Sequence, residues 1–314
     1  MTHYARKAST SHIKGSLGLD STYKKVFIPK ATSCSNNGED SPSVASCTTT
    51  NVPNQIPRTE ALYLDDASLR TLTTEILSSQ PIPSLSEEQK TLVKNVPTED
   101  NAITTRQTIF YAQGGGQPSD TGAIAAIDQN TTFEVSLVRK TSDGLYLHFG
   151  KYLDSSSPFA EGQHVVQRVD DSKRNYHSRL HSAGHIVGLA MQLLMPEMKK
   201  VKANHFPGEA AMEYEGLLYN EHKRIIQEKV DELVSRDLPI LMSWLEGGVR
   251  MGDGEGFSRD GRTRIASIGG LDHNACGGTH VARTGLVGSV VIRKISRQKG
   301  VSRVAYDVSA GVEG

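Results

Sequence analysis

The 314-residue chain has only three cysteines and one tryptophan, carries no net charge, and contains no long apolar run. Three thiols cannot pair evenly, and Cys34 and Cys47 sit in a polar tract. A disulfide scaffold is therefore excluded, and a reducing compartment is expected. No apolar stretch approaches the ~20 residues that a membrane helix needs, so no membrane partner is expected. The balance of 35 Lys+Arg against 35 Asp+Glu excludes a globally basic nucleic-acid coat and an acidic solvating tail. At 37% apolar and 22% charged residues, the chain has the composition of a soluble globular protein, and its length suggests about two domains.

Charge is nonetheless unevenly placed. Residues 1–30 carry six basic side chains and one acid, residues 168–200 six and three, and residues 281–314 six and two. Such local basic stretches can meet phosphates even in a neutral protein. Residues 31–57 are rich in Ser, Thr, Asn and Pro, with almost nothing large and apolar to offset the entropy of ordering. Residues 1–57 are accordingly expected to form a disordered extension. With Arg6 as its one arginine and no amphipathic face, its basic start gives only weak support to mitochondrial import.

The pattern tightens near Arg58. Leu69–Leu77 reads as a strand or short helix entering a domain. Short β-like runs then follow at Thr108–Tyr111, Ile124–Ile127, Phe133–Val138, Leu145–Phe149 and Val165–Val169. Gly, Asp, Asn and Ser turns separate them at the spacing of a small β-barrel, which is assigned to residues 58–167. At Asp170 the period changes. Tyr176, Leu180, Ala183, Val187, Ala190 and Leu194 recur at three- and four-residue steps, so a long amphipathic helix is expected as far as Pro196. A second helix is expected over Asn220–Val234, a Gly-rich loop over 247–262, and strands over Ser289–Arg293 and Val301–Val308. Residues 168–314 thus read as an α+β domain.

Three elements could carry chemistry. His177, His181 and His185 lie four residues apart on the long helix, so adjacent members share a face and can grip one metal ion. By itself this spacing is weak, and no Glu is placed as in the His-Glu-x2-His zinc proteases. Cys276-Gly277-Gly278-Thr279-His280 can turn a thiolate and an imidazole toward one point, although a lone cysteine is more often a small buried apolar residue. Together the two elements offer one Cys and three His, a donor set suited to tetrahedral zinc. In the third element, Tyr111-Ala112-Gln113-Gly114-Gly115-Gly116-Gln117-Pro118-Ser119-Asp120-Thr121-Gly122, three glycines allow close backbone approach and Gln117 adds a donor and an acceptor.

The order and spacing of Thr108–Tyr111 leading into GGGQPSDTG, of Arg179-Leu180-His181-Ser182-Ala183-Gly184-His185, and of Cys276–Val281 are specific in combination. Together they resemble the editing domain of alanyl-tRNA synthetase, and in particular the free-standing alanyl-tRNA editing proteins called AlaX. The resemblance spans roughly residues 58 to 310. It implies an elongation-factor-type β-barrel followed by an α+β editing domain of the threonyl/alanyl-tRNA synthetase second additional domain type. It also implies one zinc ion per chain, held by His181, His185, Cys276 and His280 with His177 outside the set. The implied reaction is trans-editing, in which an aminoacyl-tRNA deacylase hydrolyses the ester of tRNA(Ala) mischarged with serine or glycine in the cytoplasm. ATP is not expected to take part, since no Gly-x4-Gly-Lys-Ser/Thr loop occurs, and no obligate protein partner is evident. Ser182-Ala183-Gly184 departs from the commoner Thr-Ala-Thr between the two helix histidines.

A pocket for alanine cannot strongly reject serine, so a second site that hydrogen-bonds the serine hydroxyl is required. Thr108 and Gln117 are the expected catalytic-site readers of that hydroxyl, and Gly114, Gly115 and Gly116 are expected to bind the substrate. Lys173, Arg174, Arg179, Arg293, Lys294 and Arg297 are the expected phosphate contacts. The rival readings are a catalytically idle, zinc-stabilised tRNA-binding module and a small-molecule metallohydrolase.

Overall fold

Alternation of apolar and polar residues sets the barrel. Its strands are Thr71–Pro81 (β1), Asn101–Thr105 (β2), Gly122–Ala126 (β3), Thr132–Lys140 (β4), Tyr146–Tyr152 (β5) and His164–Val169 (β6). The computed structural model describes residues 56–93, 97–128, 130–153, 157–246, 258–259 and 261–309. All but the last two residues of the expected extension, and most of the 247–262 loop, lie outside them. The six strands close in the order β1-β2-β5-β4-β3-β6, with every pair antiparallel. Closure leaves no open edge, and it turns Ile76, Ile103, Ile124, Phe133, Val135 and Val165 into one interior. Each such side chain contributes roughly 1.5–3 kcal/mol on burial.

Gln167 takes an inward position of β6. Its Oε1 accepts from the Ile109 N–H at 3.0 Å, and its Nε2 donates to Thr105 Oγ1 at 3.0 Å and the Gln107 carbonyl at 3.1 Å. This explains why the run expected over Thr108–Tyr111 is a strand only at Gln107–Thr108. Beyond it, the side chains of Gln167 and Asp120 take the backbone N–H groups of Ile109 and Tyr111 that a ladder would have used. Of Leu69–Leu77, open between strand and helix, Thr71–Leu77 falls in the eleven-residue strand β1.

The long helix forms as expected, over Asp171–Leu194 (α1). The Asp170 carboxylate caps it by accepting from the Lys173 N–H at 3.0 Å. After it come Lys200–Asn204 (β7), Ala211–Glu215 (β8), the helix His222–Ser235 (α2), Ile240–Leu245 (β9), Arg262–Ile268 (β10), Val290–Gln298 (β11) and Val301–Val308 (β12). β11-β12-β8-β7 make one antiparallel sheet. β9 and β10 make another, to which Ser258–Arg259 and Asn274–Ala275 are joined. Leu180, Ala183, Val187 and Ala190 of α1 pack with Ile226, Val230 and Leu233 of α2 and with Ile292, Val304 and Tyr306 of the first sheet. The architecture is α+β, a closed barrel followed by helices on antiparallel sheets.

One expected phosphate contact is instead an internal strut. Arg174 is fully buried. It pairs with the equally buried Asp120, and its Nη1 and Nη2 also donate to the carbonyls of Ala67 and Ile109. It therefore joins α1 to the barrel and has no face left for RNA.

Candidate metal centre

The four donors implied for zinc converge. One ligand atom from each of His181, His185, Cys276 and His280 lies within 4.8 Å of the other three. Cys276 Sγ stands 3.5 Å from His181 Nε2 and 3.2 Å from His280 Nε2. Ligands about 2.0–2.3 Å from a tetrahedral zinc ion are roughly 3.3–3.7 Å apart, so the two Cys276 separations are close to those around such an ion. His177, one turn earlier on α1, is outside the cluster, and its Nδ1 is buried without a partner.

The surroundings hold the donors in metal-binding form. His181 Nδ1 pairs with Gln117 Oε1 at 2.6 Å, which leaves Nε2 and its lone pair facing the cluster. His280 Nδ1 is likewise taken by Ser182 Oγ at 3.3 Å. Burial disfavours charge on all three imidazoles: it lowers His181 and His280 well below the usual range, and with the charge of Lys200 it brings His185 to about 3. Burial pushes the Cys276 thiol up, while the Gly278 N–H, 3.4 Å from Sγ, and the charge of Arg264 pull it back. A bound cation would reverse the balance and take the thiolate.

Gln117 links the two halves of the molecule at this point. It lies on the barrel side, fully buried, after a tight turn in which Gly115 and Gly116 have φ of +53° and +80°. Two positive φ values in succession suit glycine. A Cβ on Gly116 would stand 2.6 Å from the Ala203 carbonyl, so the turn also docks directly on β7. Gln117 Oε1 accepts from His181 Nδ1 and, at 3.1 Å, from the Thr279 N–H, and its Nε2 donates to Thr279 Oγ1 at 2.9 Å. Both lone pairs and one amide hydrogen are therefore spent on the centre itself. Thr108 is similarly engaged. Since His148 Nδ1 lies 3.0 Å from the Ile103 carbonyl and must donate to it, Nε2 accepts from the Thr108 hydroxyl at 2.8 Å. The same hydroxyl oxygen accepts from the Phe110 N–H at 3.1 Å.

The remaining predicted residues are scattered. Arg179 is almost buried and donates to the carbonyls of Val287 and Ser309, along the wall of a cavity of about 740 Å³ that reaches His280. Lys173 is exposed beside Thr121, and Arg293 and Lys294 are exposed on β11. Arg297 lies over the ring of Tyr219.

Two residues of the centre were not singled out from the sequence. Arg264, buried on β10, donates through Nη1 to the carbonyls of Cys276 and Gly278 at 3.0 and 2.8 Å and through Nε to that of Leu64 at 2.9 Å. It sets the shape of the Cys-Gly-Gly-Thr-His turn. His205 stacks on His181 with ring centroids 4.2 Å apart. Neither shares a sequence period with the ligands, so spacing gave no sign of them.

Comparison with known proteins agrees with this geometry. Residues 33–173 match the family of tRNA synthetases class II (A), and residues 263–305, which include Cys276 and His280, match the threonyl and alanyl tRNA synthetase second additional domain. An alanine–tRNA ligase of Methanosphaera stadtmanae is 26% identical over 272 residues, covering 81% of this chain and 27% of the ligase. One of Methanococcus vannielii is 32% identical over 232 residues, covering 68% and 24%. The chain thus spans about a quarter of the length of the curated relatives it matches. Barrel, metal-type cluster and both matches agree that the chain is an alanyl-tRNA-synthetase-related protein of the editing-domain type.

Proposed function

We propose that the protein is a zinc-dependent aminoacyl-tRNA deacylase that hydrolyses the ester of tRNA(Ala) mischarged with serine, with glycine as the second substrate. The observation that carries this reading is the convergence of four neutral or thiol donors on one point, tied by Gln117 to the glycine turn of the barrel. In the reaction water adds to the ester carbonyl, the bond to the ribose oxygen breaks, and free amino acid and the tRNA hydroxyl leave. Zinc held by His181, His185, Cys276 and His280 would supply a fixed positive pole beside the carbonyl where negative charge develops.

The chain's own residues do the placing. Gln117 fixes the tautomer and plane of His181, and Arg264 sets the turn that carries Cys276 and His280. The exposed Lys173, Arg293 and Lys294 are suited to meeting phosphates of the acceptor arm, and Arg179 lines the larger cavity next to His280. Among the described residues no helix is long and apolar enough to cross a membrane. We place the activity in the cytoplasm, beside the translation machinery.

A four-ligand set closes a tetrahedral ion, and closed sites are more often structural. That observation favours a second reading, a zinc-stabilised tRNA-binding module without turnover. One assay separates the two. The protein is incubated with tRNA(Ala) esterified with labelled serine, glycine or alanine, and free amino acid is counted. Release from the seryl and glycyl esters, sparing of alanyl ester, and a fall of about 10³-fold or more in Cys276→Ala are expected, on the scale of losing a group essential to the site. Stable binding without release from any ester would establish the second reading.

A further inference from the structure

A cavity of about 210 Å³ opens beside His185, between α1 and the β7–β8 hairpin. Its volume equals that of roughly seven liquid water molecules and is below the ~300–1,000 Å³ usual for drug-sized ligands. It suits a group no larger than a small amino acid. Gly184 and Gly188 give the helix wall no side chains, and Met212 and Tyr214 face it from β8. Of its polar lining, Asp272 already accepts from the Ile268 N–H and from Asn274, Lys200 donates to Asn274, and Gln192 is exposed to solvent. His205 and Tyr214 differ. Tyr214 is 3% exposed, and its hydroxyl has no hydrogen-bond partner.

His205 is held rigidly by three contacts. Its backbone N–H donates to the Gly116 carbonyl at 2.8 Å, its Nδ1 pairs with Tyr306 Oη at 2.5 Å, and its ring lies on His181. With Nδ1 committed, Nε2 is the one remaining polar atom of the ring, and it has no protein partner among the described residues. The imidazole occupies space that only glycine at 184 leaves open: a Cβ there would stand 2.5 Å from both His205 Nδ1 and Tyr306 Oη. The departure from Thr-Ala-Thr in the sequence is thus filled by a polar ring, placed between the ligand set and the cavity.

Resting on the deacylase reading above, we propose that this cavity receives the side chain of the esterified amino acid and that His205 Nε2 reads its hydroxyl. A hydroxyl both donates and accepts, so it pairs with Nε2 in either tautomer. The methyl of alanine fills the same space and leaves Nε2 unpaired, so the correct ester is disfavoured, whereas glycine leaves room for a water molecule to pair with Nε2. Thr108 and Gln117, whose polar atoms are engaged within the protein, then support the barrel and the centre.

The test uses the full metal-loaded chain, with His205→Phe, which keeps a ring against His181, and Tyr214→Phe. The measured quantity is the ratio of kcat/KM for Ser-tRNA(Ala) to that for Ala-tRNA(Ala), with metal content determined alongside. His205→Phe is expected to lower the ratio about 30-fold while keeping one metal per chain, the scale of one lost hydrogen bond to a buried group. Tyr214→Phe, which removes the other unpartnered group, is expected to lower it by a smaller factor. A ratio within twofold of wild type in His205→Phe with metal retained overturns the proposal. Should His205→Phe lose its metal, titration of wild type with L-serinamide and L-alaninamide decides instead. The His205 ring 15N resonances should move with the first and not the second, and equal movement rejects the assignment. Should wild type hydrolyse no ester, the deacylase reading falls, and the same titration still decides whether the cavity reads a hydroxyl.

Discussion

The barrel and the candidate metal centre each bury a polar cluster, and the two are built on opposite terms. In the barrel, Thr108, His148, Gln167, Asp120 and Arg174 spend their hydrogen bonds on one another and on backbone. At the centre, His181 and His280 each spend one nitrogen on the protein and leave the other facing a common point, and in the cavity beside it the buried Tyr214 hydroxyl has no protein partner. Buried polar groups that are fully satisfied specify structure, whereas groups held rigid with one valence open are prepared for a ligand. Burial alone separates nothing here, since Arg174 and Gln117 are both completely enclosed.

The largest effect should come from breaking a saturated pair. Arg174→Met leaves Asp120 charged, buried and without its partner, which typically costs about 3–5 kcal/mol. Urea unfolding should register that loss, and Asp120→Leu added to Arg174→Met should recover a substantial part of it. If the double variant is no more stable than the single, the pair is not the strut described above.

A pH experiment probes the same saturation at His148. Burial brings its pKa to about 4, against 6.5 for a free imidazole. The folded state therefore resists a proton that the unfolded chain accepts, and stability falls as pH drops from about 6.5 to about 4. The shift corresponds to roughly 3 kcal/mol. Between pH 7 and pH 4, wild type should lose about that much more unfolding free energy than His148→Gln, the metal-site histidines being common to both. Parallel pH profiles would show that His148 takes up its proton without opening the barrel.

At the centre, the comparison turns on space. Gly184→Thr should cost about 1–3 kcal/mol through overpacking against His205 and Tyr306, read as a lower Tm. Combined with His205→Ser, which empties the imidazole's share of that space and leaves only the contact with the Tyr306 hydroxyl, the change should be non-additive and recover part of the loss. Additive effects would mean that positions 184 and 205 are not exchanging one volume.

These contrasts explain what was legible in the sequence. The long helix, four of the barrel strands and the spacing of the ligand pairs are written in local periods: four residues from His181 to His185, four from Cys276 to His280, two along β6. The strand Asn101–Thr105, with only Ala102 and Ile103 apolar, lacks such a pattern, and the four-residue step serves His177 equally, so only the resemblance sets His177 outside the ligand set. Long-range complementarity has no period. Asp120 and Arg174 meet across 54 residues and Gln117 and His181 across 64. His205 reaches the centre because α1 has a glycine opposite it, which the altered Ser-Ala-Gly string signalled without saying what fills the gap. A charge also reads the same on paper whether it is buried or exposed, which is why Arg174 was grouped with the surface cations.

That grouping yields the smallest predicted effect. Each cation that contacts a phosphate releases a counterion on binding, so its removal lowers the slope of log affinity against log salt by about 0.7–0.9. Lys294, exposed on β11, carries a charge that is free to do this, whereas the guanidinium of Arg174 is already neutralised by Asp120 inside the protein. Lys294→Gln should therefore weaken binding of tRNA(Ala) by a few-fold and reduce the salt slope by nearly one. In Arg174→Met, measured where the variant is still folded, affinity tracks the folded fraction and the slope stays as in wild type. A reduced slope in Arg174→Met, or an unchanged one in Lys294→Gln, would place the acceptor arm elsewhere on the protein than on the β11 side.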